Sequence, residues 1–288
     1  MNQPRILITG STGNTGREVL KGLLDLGYSE SSILCAVRNP GAGDTAANIR
    51  TFNFLEQETW VPALAGVEKL FLLRPPRISN IRRDMYPFLG FLADRGIRQV
   101  VFLSVQGSEK NSLVPHRKIE DAIRELDIPH TFLRPSFFMQ NLTTTHLDEI
   151  REEKRLFLPA GEGRTNFIDV RDIGEASARV LIGEEHINKE YTITGERDYS
   201  YREVAELLSK ELGETIRYEH ANPFTFIRYH KRKGKSLSHA LVMLVLYSAA
   251  RFGKAAGKTD TLEHLLRRKP RSLEEFIRDH RELLLPRR

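Results

Sequence analysis

The run Ile6-Leu7-Ile8-Thr9-Gly10-Ser11-Thr12-Gly13-Asn14-Thr15-Gly16 constrains this chain more than any other stretch. An apolar segment passes into three glycines spaced three apart. A segment of helical periodicity follows at once, with Val19, Leu20, Leu23, Leu24 and Leu26 as its apolar positions. The pattern reads as strand, tight turn and helix. Glycines in such a turn permit positive φ and let backbone N–H groups approach a diphosphate, which then meets the positive end of the helix. The spacing is G-x-x-G-x-x-G and not G-x-G-x-x-G, so the flanking strand and helix matter more than the glycines in pointing to a dinucleotide site. A Walker loop is excluded, because Arg17-Glu18 stands where Lys and Ser or Thr would be needed.

With 288 residues, 40% of them hydrophobic, the chain can bury a full core, as one large domain or as a main domain with a smaller lobe. The net charge of +6 favours anionic ligands. A single cysteine, Cys35, precludes an intramolecular disulfide and fits a cytoplasmic setting. No hydrophobic signal core precedes the first strand. The longest strongly apolar run, 240–247, falls well short of the ~20 residues that span a bilayer. A soluble protein with no membrane partner is expected. That run is apolar all round, so as a helix it should be buried or line a cavity.

Further apolar runs recur with helical segments between them. Strands are expected at 33–37, 49–55, 69–73, 99–103 and 130–133, with helices at 17–26, 59–65, 81–95 and 118–126. This alternation predicts an α/β fold built on a doubly wound parallel sheet, with right-handed crossovers. The second strand ends at Arg38-Asn39-Pro40-Gly41. Arg38 stands where a carboxylate would take the ribose diol of NAD, and a guanidinium suits a 2′-phosphate or stacking on adenine. The fourth strand ends at Arg74-Pro75-Pro76, on the same sheet edge as Gly10 and Arg38 if all strands are parallel. Ser104-Val105-Gln106-Gly107 follows the fifth strand, and the sixth runs into Arg134-Pro135-Ser136-Phe137-Phe138. After Asn141 the alternation loosens. Tyr201 opens a regular amphipathic helix, with Ser200 as its N-cap and Gly213 as its stop. The remainder is helical and basic, which suggests a smaller lobe.

Several pieces together resemble the NmrA-like branch of the atypical short-chain dehydrogenases/reductases. They are Thr9 through Gly16, Val37-Arg38-Asn39-Pro40, Thr131-Phe132-Leu133-Arg134-Pro135 through Asn141-Leu142, Phe167-Ile168-Asp169-Val170-Arg171-Asp172-Ile173-Gly174, Tyr191 through Gly195, and Arg268-Lys269-Pro270-Arg271-Ser272-Leu273-Glu274-Glu275-Phe276. The resemblance implies a Rossmann domain binding NAD(P) and a mainly helical C-terminal lobe that shapes a substrate site; Arg38 makes NADP(H) the preferred form, with NAD(H) also possible. The expected division is 1–136 plus 167–194 for the dinucleotide domain and 137–166 plus 195–288 for the lobe. Ser11, Thr12, Gly13, Asn14 and Thr15 would hold the diphosphate, Arg38 the adenosine phosphate, and Leu73, Arg74 and Pro75 the ribose side, with Gly10, Gly16 and Asn39 also in the cofactor site. Ser104, Val105, His116 and Pro135 complete the expected cofactor set. Phe138 resembles the phenylalanine that packs on the nicotinamide, although a core aromatic would read the same way.

The departure lies at the catalytic pair. Short-chain dehydrogenases use Tyr and Lys four apart, and those positions hold Ser112 and His116. His116 is the candidate catalytic residue, because imidazole titrates near neutral pH and could donate a proton or orient the nicotinamide ribose. The chain's Tyr-x-x-x-Lys, Tyr229 to Lys233, lies in a basic segment far from the fifth strand and reads as coincidence. Gly253-Lys254-Ala255-Ala256-Gly257-Lys258-Thr259 has three residues between its glycines where a phosphate loop needs four. The histidines show no metal-binding spacing, so no metal is expected. Basic clusters around Lys231 and Arg268 read as solvated helix faces, and no nucleic acid is expected. Two functions lead, ahead of an epimerase or isomerase acting on a sugar nucleotide, which the missing tyrosine weakens. One is an NADPH-dependent oxidoreductase passing hydride to a small apolar substrate such as a quinone, enone or imine. The other is a non-catalytic NAD(P) redox sensor that reports to a protein partner.

Overall fold

The computed structural model describes residues 3–41 and 48–286. It divides into two compact units, the first drawn from Met1–Pro135, Val170–Ile193 and Thr261–Arg268, the second from Ser136–Asp169, Thr194–Asp260 and Lys269–Arg288.

The first unit is built on seven strands: β1 (Ile6–Ile8), β2 (Ile33–Val37), β3 (Ile49–Thr51), β4 (Lys69–Leu73), β5 (Gln99–Leu103), β6 (His130–Pro135) and β7 (Lys189–Ile193). Their spatial order is β7-β6-β5-β4-β1-β2-β3, and every neighbouring pair is parallel. This is the doubly wound order 3-2-1-4-5-6 with one strand added beside β6. Its switch point lies between β1 and β4, where such sheets place ligands at the carboxyl ends of the strands.

Register explains the apolar runs. Leu34, Leu7, Leu70 and Val100 stand opposite one another across four strands and enter one core with Trp60 and Phe88. On a sheet covered on both faces the intervening residues are buried as well, so the strands are continuously apolar. The helices Asn14–Asp25 and Val170–Ile182 pack together through glycines. A Cβ on Gly174 would lie 2.4 Å from the Glu18 carbonyl carbon, and one on Gly22 would lie 3.0 Å from the Gly174 oxygen.

Four expectations for this unit shift. The third strand stops at Thr51 rather than running to 55, because the Asn53 carbonyl leaves the ladder to accept Trp60 Nε1 at 2.9 Å. The helix expected over 81–95 is broken at Met85 into Ile81–Asp84 and Tyr86–Ala93, since Pro87 has no N–H to continue the first turn. Residues 261–268, expected in the lobe, group with the sheet. Leu262 and Leu266 are buried, and Arg268 Nη2 holds Asp172 Oδ1 at 2.7 Å and Glu175 Oε2 at 2.6 Å. Residues 167–169 group instead with the second unit, where Phe167 pairs with Phe137.

The second unit contains a three-stranded sheet in the order Asp198–Ser200, Arg164–Ile168, Phe137–Phe138, and a parallel pair of Arg155–Leu158 with Arg217–His220. The helix Tyr201–Leu212 begins with a capping box between Ser200 and Glu203 and stops at Gly213 in the left-handed region (φ +73°). The helix Leu237–Arg251 corrects the expectation for run 240–247. Only Ala240, Met243, Tyr247 and Ala250 are buried, at helical spacing, while Leu241, Val242, Val245 and Leu246 are exposed. Its inner face is fixed by close approach: a Cβ on Gly163 would lie 2.2 Å from the Ala250 oxygen.

Under that helix, His146 bridges Glu149 Oε2 (3.0 Å) and the Tyr247 hydroxyl (2.5 Å). Neither ring nitrogen of buried His230 meets a hydrogen-bond partner among the described residues, and Glu149 Oε1 lies 3.9 Å away. Burial pushes the His230 imidazole down to about 4. The unfolded chain therefore takes up a proton that the folded chain resists, so stability held above about pH 6.5 is lost as pH falls toward 4. His230→Leu is expected to reduce the drop in Tm between pH 7 and pH 4.5, measured by thermal unfolding. An unchanged drop would remove His230 from acid destabilisation.

Candidate functional site

At the carboxyl end of β1, Thr9 ties the two strands of the switch point together. Its hydroxyl donates to the Phe71 carbonyl at 3.0 Å and accepts the Leu73 N–H at 2.8 Å. The next residue, Gly10, takes φ +67°, and a Cβ there would lie 2.7 Å from Leu73 Cδ2. Gly13 N–H returns to the Gly10 carbonyl at 2.9 Å and caps the helix Asn14–Asp25. Gly16, inside the first turn of that helix, has no room at all: a Cβ would stand 2.2 Å from the Gly10 oxygen and 2.8 Å from Ser11 Cα. The turn is thus folded back on its own helix so closely that only glycine fits at both ends. Thr12, Gly13 and Asn14 are exposed at the helix N-terminus, where unpaired N–H groups and the helix dipole favour an anion.

Ser11 faces inward. Its buried hydroxyl donates to the Ala36 carbonyl at 3.0 Å, joining the loop to the end of β2. Arg38 and Asn39 follow β2 and are exposed at the same sheet edge. Burial pushes the nearby Cys35 thiol up, which makes it a poor thiolate.

After β4, Arg74 organises the proline turn. Its Nη1 donates to the carbonyls of Ile78 (2.6 Å) and Pro75 (3.2 Å), and its Nε reaches His116 Nε2 at 3.5 Å. His116 is the second residue of the helix Pro115–Glu125, which starts on a proline whose missing N–H costs nothing there. Burial and then the Arg74 charge push the imidazole down to about 4, against the opposing pull of Glu120. His116 is neutral at pH 7. Ser112, the other member of the expected pair, is exposed ahead of the helix.

One group of residues escaped the sequence reading. Glu120 is fully buried one helical turn beyond His116. It receives Arg134 Nε at 2.9 Å and Nη2 at 2.7 Å, Ser104 Oγ at 2.5 Å and Ser108 Oγ at 2.7 Å. Arg134 also holds Glu190 at 2.7 Å. The Ser104 hydroxyl, expected beside the cofactor, is therefore committed to Glu120. A signal was present: Glu120 shares the inward face of its helix with Ile119 and Ile123, and Arg134 interrupts an apolar strand. Val105 is half-buried, and Pro135 closes β6. Phe138, half-buried, belongs to the second unit and pairs with Ile168.

The chain's Tyr-x-x-x-Lys does not form a proton-passing pair. The Tyr229 hydroxyl and Lys233 Nζ both reach Glu153 Oε1 at 2.7 Å, and burial together with that carboxylate pushes the phenol up. Among the described residues no group of His, Cys, Asp and Glu could hold a metal ion, and no helix is long and apolar enough to cross a membrane.

A parallel sheet in this order, with a glycine-only turn at its switch point, defines the Rossmann class of dinucleotide-binding folds. The chain belongs to the NmrA-like family, which it matches over residues 2–277. It is 33% identical over 283 residues to the uncharacterized oxidoreductase YesF of Bacillus subtilis, covering 97% of this chain and 96% of that one. It is 29% identical over 286 residues to the NAD(P)H azoreductase of Xenophilus azovorans, covering 96% and 97%. The NADPH-dependent quinone oxidoreductase QOR2 of Escherichia coli, solved with NADPH, shares the fold with a TM-score of 0.86 at 24% identity, covering 94% and 98%.

Proposed function

We propose that this protein is an NADPH-dependent reductase of a small apolar electrophile such as a quinone, enone or imine. The glycine-only turn carries the reading, since Gly10 and Gly16 leave a backbone cradle that a side chain at either position would fill. The names of the relatives, an NAD(P)H azoreductase among them, support reduction by a nicotinamide. Backbone N–H groups from Ser11 to Thr15 hold the diphosphate, Arg38 and Asn39 receive the 2′-phosphate, and Leu73, Arg74 and Pro75 flank the ribose. Phe138 is the candidate to pack on the nicotinamide. When bound, NADPH supplies the hydride.

The chain's own contribution is placement more than acid catalysis. Of the two roles open to His116, orientation fits better than proton donation. Its Nε2 accepts from Arg74, which leaves Nδ1–H as a fixed donor on a ring already neutral at pH 7. The pH profile of kcat is therefore expected to show no limb near pH 6.5 that His116→Ala removes. Such a limb would make His116 the proton donor.

Arg38→Ala is expected to raise the Kd for NADPH ~10–100-fold, the loss of a charge-assisted hydrogen bond, and to leave the Kd for NADH within about threefold. Equal effects on both would detach Arg38 from the 2′-phosphate. The reading as a whole is tested by following NADPH oxidation across a panel of quinones, enones and imines. Turnover with at least one class is expected. Tight NADPH binding with no turnover on any would replace the reductase with the redox sensor.

A further inference from the structure

We infer that the helices Pro223–Arg232 and Leu237–Arg251 form a surface that docks on an anionic lipid bilayer. The two helices pack against each other within the second unit. Between Glu219 and Asp260 the chain has no Asp or Glu, while Lys and Arg recur before Ser236 and again from Arg251 on. Lys231, Arg232 and Lys235 cluster at the turn between the helices, and Arg251 and Lys254 lie at the far end.

Between those basic ends the longer helix carries no Asp, Glu, Lys or Arg from Leu237 to Ala250. Its outward face is aliphatic: Leu241, Val242, Val245 and Leu246 are exposed, Val242 at 60% and Val245 at 68%. Phe252 is 73% exposed beyond its end, and Phe224 is 89% exposed on the shorter helix. With Ile227, Arg228 and Lys231, Phe224 lines a shallow groove of about 500 Å³. Folding has therefore left a row of aliphatic side chains in water on a helix with few polar residues. Soluble proteins seldom expose apolar patches of this kind without a partner for them.

Charge selects the partner. A second copy bound through the same patch would press the basic ends against themselves, because a two-fold contact is self-complementary. A nucleic acid would satisfy the charge, but only Phe224 and Phe252 could stack on bases, and the aliphatic row Leu241, Val242, Val245 and Leu246 would be left without a partner. An anionic membrane surface meets both halves. Valine and leucine enter the boundary between headgroups and acyl chains, and the flanking Lys and Arg meet lipid phosphates. The longer helix, 15 residues or ~22 Å, would lie flat in that plane. A surface of this kind needs no run long enough to span a bilayer. It is also independent of the reductase reading, since vesicle binding requires no dinucleotide.

The test is flotation of the full chain with vesicles of phosphatidylcholine alone and of phosphatidylcholine mixed with phosphatidylglycerol. Binding is expected to the anionic vesicles only and to fall with added salt. Val242→Asp with Val245→Asp should cut the bound fraction at least ~10-fold while leaving circular dichroism and NADPH titration unchanged. Phe224→Ser, on the other helix, should weaken binding in the same direction. No binding to anionic vesicles, or full binding by both variants, would overturn the proposal. So would a dimer that the double variant converts to monomer, since the face would then belong to a second copy.

Discussion

Gly16→Ala is expected to raise the Kd for NADPH by at least ~100-fold and to lower stability by about 1–3 kcal/mol. The added Cβ would meet the Gly10 oxygen at 2.2 Å, the Gly10 carbonyl carbon at 2.7 Å and Ser11 Cα at 2.8 Å. All three are backbone atoms of the turn itself. No rotamer change relieves the clash, so the turn must move away from its helix, and the N–H groups that would hold a diphosphate move with it. Gly90→Ala is the matching control: a Cβ there meets nothing within 4 Å, so binding and stability should be unaffected or slightly improved. Equilibrium titration and urea unfolding of both variants read the difference. A Gly16→Ala protein that binds NADPH normally would show that the turn is not the cradle.

Glu120→Ala is expected to cost about 3 kcal/mol, measured by urea unfolding. The carboxylate is fully buried, and although burial opposes its charge, the hydrogen bonds from Arg134, Ser104 and Ser108 hold it below the usual carboxylate range. Removing it leaves Arg134, itself 5% exposed, with Glu190 at 2.7 Å and Glu109 at 3.7 Å as its carboxylates, and strips two buried hydroxyls of their carboxylate acceptor. Because its folded pKa is depressed, the stabilisation it provides is present at neutral pH and lost as pH falls through the carboxylate range. Its substitution should therefore matter most at pH 7. Glu120→Gln keeps the shape and part of the bonding and should cost less than Ala. A loss below about 1 kcal/mol in the Ala variant would mean that the network contributes little to the fold.

The sheet was legible because parallel strands covered on both faces leave a plain trace. Strands β2, β4 and β5 occupy the apolar runs at 33–37, 69–73 and 99–103, each bounded by turn formers or charge. The Tyr201–Leu212 helix was legible at both ends, since Ser200, Glu203 and Gly213 carry local chemistry that needs no tertiary partner. What escaped depends on partners distant in the chain. Leu237–Arg251 is apolar at nearly every position, so its sequence carries no phase, and only packing against Gly163 and its surroundings decides which face is buried. The partnership of Glu120 with Arg134 shows in sequence only as two misplaced charges. Residues 261–268 look like more of the basic tail until Arg268 meets Asp172 and Glu175. At the site, the glycine turn and its sheet edge could be read directly. The state of His116 could not, because burial and Arg74 set it.

The most direct test of the central claim is equilibrium titration of the purified chain with NADPH and with NADH, followed by nicotinamide fluorescence. Saturable binding of NADPH is expected, tighter than NADH by at least ~10-fold, about 1.4 kcal/mol. If neither dinucleotide binds, the glycine turn is an ordinary strand-to-helix connection, and the reductase reading falls with it.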